Sequence, residues 1–375
     1  MKKSDLIIVR GAGDLATGTI HRLKKSGFRL LVLETDQPAA IRRQVALSEA
    51  VYSKSACVEG VEAVRVKDEK QMIDAWENGK VPVLVDPKGE SIASMQPKVV
   101  VDAILAKRNL GTNKNMAPLT IALGPGFEAG VDVDVVIETK RGHNLGRVIR
   151  EGSAYPNTGI PGIIGGYGAE RVIHAPAEGI LKNKSKIGDI VEKGQVIAVI
   201  EASDKENESA ADIKKTEVRA TIDGLLRGLI RDNYPVTKGF KIADIDPRAE
   251  EYDNCFTISD KARCIAGGVL EALLYLKNNL TADQKIEDSK SIYADYAATH
   301  ITKPDCVKDA MIHALSLGNS GRGVNESSLD AARKIYEVRT KVDQFFDGYG
   351  PEQVVFTSGI TESLNTVIKG YLNKG

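Results

Sequence analysis

Short runs of apolar, mostly β-branched residues recur through the first part of the chain, at 6–9, 30–33, 81–85, 99–101, 119–123 and 133–137. Helix-like or charged stretches separate most of them. A strand that is apolar along its whole length is buried on both faces, so this alternation predicts a parallel sheet covered by helices on either side. From about residue 170 the pattern changes to short strands broken by glycine turns. Residues 175–200 recur 45 positions later at 220–245, with nine identities that include Gly179/Gly224, Leu181/Leu226, Lys193/Lys238 and Ile200/Ile245. A duplicated set of short strands predicts two small sheets packed as a sandwich with quasi-two-fold symmetry.

That pattern resembles the barrel-sandwich hybrid of biotinyl and lipoyl carriers. The segment between the two copies, 201–215, is a long charged loop without the tight lysine turn of those carriers, so a carrier role is not expected. Residues 258–275 read as an apolar helix containing Gly267-Gly268 and are expected to pack back on the first domain. Residues 281–291 are polar and charged and read as a linker.

The first strand–helix junction carries Gly11-Ala-Gly13-Asp-Leu-Ala16-Thr-Gly18. Glycines there permit a tight turn and close backbone approach, and the helix N-terminus offers N–H groups and a positive dipole end to a phosphate. Glu34 closes the second strand about 20 residues on, where a ribose-binding acid belongs. The same turn also fits a plain strand-to-helix connection. Ligands in open α/β sheets bind beyond the carboxyl ends of strands, which draws attention to Asp102 with Lys107 and Arg108 one helical turn later, and to the glycine-rich loop 124–130. Lys107 and Arg108 fit a solvated helix face equally well. Arg141 and His143, directly after a strand, are further candidate ligand contacts. Asp244, Asp246 and Arg248 fit either a salt-bridged corner or a face turned toward the first domain's crevice.

At 375 residues the length favours two or three domains. Lys+Arg and Asp+Glu balance at 51 each, so no global field attracts nucleic acid or an anionic membrane. No apolar run approaches a signal peptide or membrane span, and the expected location is the cytoplasm. The four cysteines lack CxxC spacing, so neither a metal site nor a disulfide framework is expected.

Arg10 to Gly18, 41–52, Asp102 to Asn109, 124–127 and Arg141-Gly-His143 appear in order, and together they resemble the selenium-dependent molybdenum hydroxylase maturation proteins (the YqeB type), relatives of xanthine dehydrogenase accessory factors. The resemblance covers about 1–275. It implies an accessory protein that binds a molybdopterin-type cofactor, serves a selenium-dependent molybdenum hydroxylase and receives sulfur or selenium from a cysteine desulfurase or selenocysteine lyase-like partner. Molybdopterin carries a phosphate, so the glycine turn suits either that cofactor or a dinucleotide.

Asp295-Tyr-Ala-Ala-Thr299, 318–323, Ala331-Ala-Arg333 and 355–363 resemble class V aminotransferases, the group of cysteine desulfurases and selenocysteine lyases. The resemblance implies that Gly359, Ile360 and Thr361 open a helix that holds the phosphate of pyridoxal phosphate. Relatives often carry histidine where this chain has Asn325. Schiff-base chemistry needs a lysine, a group stacked on the ring and an acid at its nitrogen, which in that family lie beyond the matched part, so no catalytic residue is assigned and no desulfurase activity is expected.

The expected architecture is α/β: a Rossmann-like parallel-sheet domain (1–168), a duplicated barrel-sandwich hybrid domain (169–250), a helix packing back (251–280), a linker (281–291) and an incomplete aminotransferase-like segment (292–375). An accessory factor in molybdenum cofactor maturation is the expected function, and a homodimer is compatible with it. An NAD(P)-binding oxidoreductase and a non-catalytic assembly scaffold are the alternatives.

Overall fold

Whole-strand burial shapes the first half of the molecule. The computed structural model describes residues 5–157, 159, 162–202, 215–279, 304–322 and 325–371, in two compact units, Met1–Lys285 and Ile286–Gly375. The 293–299 motif, the linker 281–291 and most of the charged loop (203–214) lie outside the described residues.

The first unit begins with β1 (Leu6–Arg10), α1 (Asp14–Lys25), β2 (Arg29–Glu34), α2 (Ala50–Ser53), β3 (Ser55–Val58), β4 (Val61–Val66), α3 (Glu69–Glu77), β5 (Val81–Val85), α4 (Ser91–Met95), β6 (Val99–Asp102), β7 (Leu119–Leu123), β8 (Glu128–Ala129), β9 (Val135–Ile137), β10 (Val148–Ile149) and β11 (Gly152–Ser153). Nine strands form one sheet in the order β10-β9-β7-β6-β1-β2-β5-β4-β3. Neighbours from β9 through β4 run parallel, and β10 and β3 close the edges antiparallel. All six apolar runs became strands. The β3–β4 hairpin was not read from the sequence, because an edge hairpin is half exposed and alternates rather than staying apolar.

Helix α1 buries Ala16, Ile20 and Leu23, spaced to share one face, and places Arg22, Lys24 and Lys25 in its last turn, where they complement the helix dipole. Helix α5 (Asp260–Asn279) lies against α1. Their approach is close: a Cβ on Gly18 would stand 2.8 Å from the carbonyl oxygen of Ala262. On the same helix a Cβ on Gly268 would stand 2.2 Å from the carbonyl oxygen of Gly146.

Between β11 and α5 come β12 (Val172–His174), β13 (Gly179–Asn183), β14 (Ile190–Val191), β15 (Val196–Glu201), β16 (Lys215–Arg219), β17 (Gly224–Leu229), β18 (Pro235–Val236) and β19 (Lys241–Asp246). They make two four-stranded antiparallel sheets, β12-β19-β17-β14 and β16-β15-β13-β18. Replacing each strand by its repeat mate converts one order into the other, so each copy contributes two strands to each sheet. The shared core contains both members of the pairs Leu181/Leu226, Val191/Val236, Ile197/Ile242 and Ile200/Ile245, each buried leucine or isoleucine contributing about 1.5–3 kcal/mol. Gly179 and Gly224 sit at equivalent φ values of +145° and +149°, and a Cβ at either would meet the carbonyl oxygen of Glu201 or Asp246 within 2.3 Å. Only glycine satisfies both constraints.

The second unit comprises α6 (Asp305–Ala314), α7 (Glu326–Phe345) and α8 (Ile360–Gly370). Among its described residues only Ser328 and Ala331 are buried. Asn325 is the N-cap of α7 and accepts from the Ser328 N–H at 2.9 Å, satisfying one of the helix's first N–H groups.

Candidate functional site

Three loops at the carboxyl ends of β1, β6 and β7 stack against one another. Gly11, at φ +95°, brings the first loop onto Ala103 and Ile104, where a Cβ would lie 2.9 Å from the Ala103 oxygen. Gly126, in the loop after β7, abuts the backbone of Arg108. Beneath them Thr112 bridges two buried charges: its hydroxyl donates to Asp102 and accepts from Arg10, whose guanidinium also donates to the Pro87 carbonyl. Burial pushes the Asp102 carboxyl up, opposed by Thr112, the Ile104 N–H and Arg10.

The segment after Asp102 is a loop, not the helix expected from the spacing of Lys107 and Arg108. Leu105 and Lys107 adopt φ near +60°, and Asp102 turns back to accept the Ile104 N–H at 3.1 Å; both features stop helix propagation. Lys107 and Arg108 are exposed there.

The glycine turn is open. Gly13 is the N-cap of α1 with φ −63° and ψ −178°, no side chain caps this helix end, and a Cβ on Gly13 would meet nothing within 4 Å. Glu34 closes the turn from the side: its oxygens accept the N–H groups of Ala12 and Thr35, both at 2.8 Å. Burial raises the Glu34 carboxyl, only partly offset by those two bonds.

Two adjoining cavities lie between this turn and the duplicated sheets. The first, about 500 Å³, is bounded by Gly11, Gly13, Glu34, Arg42 and, from the second copy of the repeat, Arg227 and Lys241. A second, about 590 Å³, reaches from Arg42 and Arg227 to Arg141, Arg171, Arg248 and Lys261. Arg42 stands where they meet. It is 10% exposed, spans 3.6 Å to Asp14 and donates to the Asn254 and Thr257 carbonyls, yet its Nε is buried without a partner. Burial lowers its pKa, with Asp14 opposing.

Asp244 receives Arg227 at 2.6 and 3.0 Å and Arg171 at 3.2 Å. Asp246, fully buried, receives Arg248 at 2.9 and 3.0 Å. Burial would raise the Asp246 carboxyl, but the hydrogen bonds and charge of Arg248 and the charge of Arg227 hold it low. These residues therefore form a salt-bridged corner that also faces the first domain. The second cavity is lined by seven cationic side chains against three carboxylates; Asp246 behind them offsets one more cation. Three positive charges remain uncompensated in a chain whose total charge is zero, and a cleft with low-dielectric walls focuses such a field.

Of the residues expected to bind a ligand, Gly11, Gly13 and Glu34 line the first cavity and Arg141 the second. Arg141 grips Asp260 through both guanidinium nitrogens, at 2.6 and 3.0 Å. Ala16 is fully buried in the core. Lys107, Arg108 and His143 are exposed and line neither cavity. Thr361 lies in the first turn of α8, exposed, in the second unit.

Sequence reasoning missed Arg42, Arg227, Lys241 and Lys261 as site residues. A signal for one of them was present in the repeat: Lys241, like Asp244, stands where the first copy has a valine, Val196 and Val199 respectively. A position that is apolar in one copy and charged in the other marks a surface recruited for something besides the common core. Among the described residues no group of three or more histidine, cysteine, aspartate or glutamate side chains is placed to hold a metal ion, and no helix is long and apolar enough to cross a membrane.

Residues 292–375 match the aminotransferase class-V family model. The chain is 48% identical over 272 residues to the uncharacterized protein YqeB of Escherichia coli (strain K12), an alignment covering 72% of this chain and 48% of that protein. It is 32% identical over 90 residues to a probable cysteine desulfurase of Vibrio cholerae, covering 24% of this chain and 22% of that one, and 33% identical over 86 residues to a cysteine desulfurase of Wigglesworthia glossinidia brevipalpis, covering 22% and 21%. The chain thus spans about half the length of the first relative and about a fifth of the desulfurases. The product-bound ectoine utilization protein EutE (DoeB) of Ruegeria pomeroyi aligns over 64% of this chain and 85% of its own, at 12% identity and a TM-score of 0.21, too low to bear on the fold or the site.

Proposed function

We propose that this protein binds a phosphate-bearing molybdopterin-type cofactor between its Rossmann-like sheet and its barrel-sandwich repeat, as an accessory factor in maturing the cofactor of a selenium-dependent molybdenum hydroxylase. The observation that carries the reading is a pair of joined cavities above an open, uncapped glycine turn, the first lined by three cations and three carboxylates and the second by seven cations and three carboxylates. Gly13 leaves room for the phosphate, the first turn of α1 borders that room through Asp14 and Leu15, and Arg42, Arg227 and Lys241 line the same cavity. The buried Nε of Arg42 without a partner fits an anionic guest, since an unpaired buried donor is costly.

Sulfur or selenium comes, in this reading, from a desulfurase-like partner, and the likeness of residues 292–375 to cysteine desulfurases supports such an association. Enzymes of that family use pyridoxal phosphate. The described residues here offer the phosphate end of that cofactor the exposed Thr361 and the start of α8, and offer the ring no enclosing wall, so the segment is assigned no chemistry of its own.

A second reading, a nicotinamide dinucleotide enzyme, is favoured by Glu34 at the end of β2; against it, both Glu34 oxygens already accept backbone N–H groups. The test is to purify the full chain from cells that make molybdopterin and measure molybdenum and oxidised-pterin fluorescence, alongside titration with NADH. Pterin and molybdenum in the wild type, reduced in Arg227→Gln, are the expected result. Saturable NADH binding with substrate-dependent turnover and no pterin would overturn the proposal.

A further inference from the structure

The second cavity is lined by seven cations against three carboxylates, and the four cations away from the first cavity come from four separate parts of the chain. Lys261 stands in the first turn of α5, half-buried, and its ammonium makes no hydrogen bond or ion pair with any described residue. Arg141 comes from the loop after β9 and Arg248 from the turn after β19. Arg171, 4% exposed, is fixed by its bonds to the Ile245 and Gly162 carbonyls and to Asp244. Leu15, Val172 and Ile258 add apolar wall. Burial lowers the pKa of Lys261 and the charge of Arg141 adds to that effect, opposed by the charges of Asp14, Glu138 and Asp260. An ammonium that makes no direct ion pair, beside like charges and in a partly desolvated place, is only partly stabilised by the carboxylates around it and gains from an incoming anion.

We propose that the cavity bounded by Lys261, Arg141, Arg171 and Arg248 is a second anion subsite, separate from the glycine turn, that takes a phosphate dianion. The two cavities meet at Arg42, Arg227 and Asp244, so one extended ligand can span both subsites. The substrate class is then a molecule with two anionic groups, one at each end of the shared wall. This deepens the proposed function, and rests on it only for the phosphate at the glycine turn.

Equilibrium dialysis of the full chain against radiolabelled inorganic phosphate at low salt tests it by counting sites in the wild type, Lys261→Gln and Gly13→Ser. Lys261 is unpaired, so its replacement leaves the fold intact, checked by an unchanged melting temperature. Two phosphates per wild-type chain are expected. Lys261→Gln should weaken one by about tenfold or more, as expected for loss of a charge-assisted contact, and Gly13→Ser should weaken the other. A single wild-type site, or two sites unchanged in Lys261→Gln, overturns the subsite. If Lys261→Gln removes one site while Gly13→Ser leaves both, the subsite stands and the glycine-turn reading falls.

Discussion

Gly13 and Gly18 belong to one glycine-rich motif, yet the structure gives them opposite roles, and paired substitutions separate them. At Gly13 a side chain meets nothing within 4 Å, and the backbone angles, φ −63° and ψ −178°, are those of an ordinary N-cap. Serine is a better N-cap than glycine by a few tenths of a kcal/mol, because its hydroxyl accepts a first-turn N–H. Gly13→Ser should therefore leave stability unchanged or slightly raised, while filling the space and satisfying the donor that a phosphate would use. At Gly18 the balance reverses. Alanine gains about 1 kcal/mol of helix propensity, but its methyl would lie 2.8 Å from both the Cβ and the carbonyl oxygen of Ala262, and prying two packed helices apart costs roughly 1–3 kcal/mol. Since the obstacle includes backbone, the upper part of that range applies, and Gly18→Ala should lose about 1–2 kcal/mol net, roughly 3–6 °C in melting temperature for a unit of this size. Calorimetry of both variants, with phosphate dialysis beside it, reads the two effects independently. A loss above about 1 kcal/mol in Gly13→Ser, or unchanged phosphate binding in it, would refute the view of Gly13 as an open cradle.

Gly179→Ala and Gly224→Ala should each cost about 3 kcal/mol, from a backbone region closed to side chains plus overlap with a carbonyl oxygen, and should cost the same if the quasi-two-fold is real; urea midpoints compare them. Asp246→Asn leaves Arg227 and Arg248 without their shared charge at a fully buried position and should destabilise by about 3–5 kcal/mol; retention of wild-type stability would mean the cluster is solvated. Its folded pKa is depressed, so its contribution is present above the unfolded carboxylate value of about 4 and is lost as pH falls through the folded one. Arg141 likewise holds Asp260 down to about 2, giving stability present above about pH 4 and lost toward pH 2. In Arg141→Gln this part of the acid slope should disappear, a small effect because both side chains are more than half exposed; an unchanged slope would remove the pair from the account.

The sequence by itself determined the strands of the large sheet, since burial on both faces demands continuous apolar runs, and it determined the duplication, since two copies sharing one core keep the same apolar positions in phase. The open glycine turn and the acid at the end of β2 were legible for the same local reason: φ, helix start and strand end are properties of neighbouring residues. What only the tertiary structure decided is which charges face each other. Lys107, Arg108 and His143 are as polar as Arg42, Arg227 and Lys261, and nothing local tells them apart. The first three lie on loops turned to solvent, whereas the last three come from a turn, a repeat strand and a helix start far apart in the chain. Their convergence follows from how the repeat seats against the sheet. That arrangement is set by long-range packing and by departures such as Val199 to Asp244, which acquire meaning only once the two copies are superimposed in space.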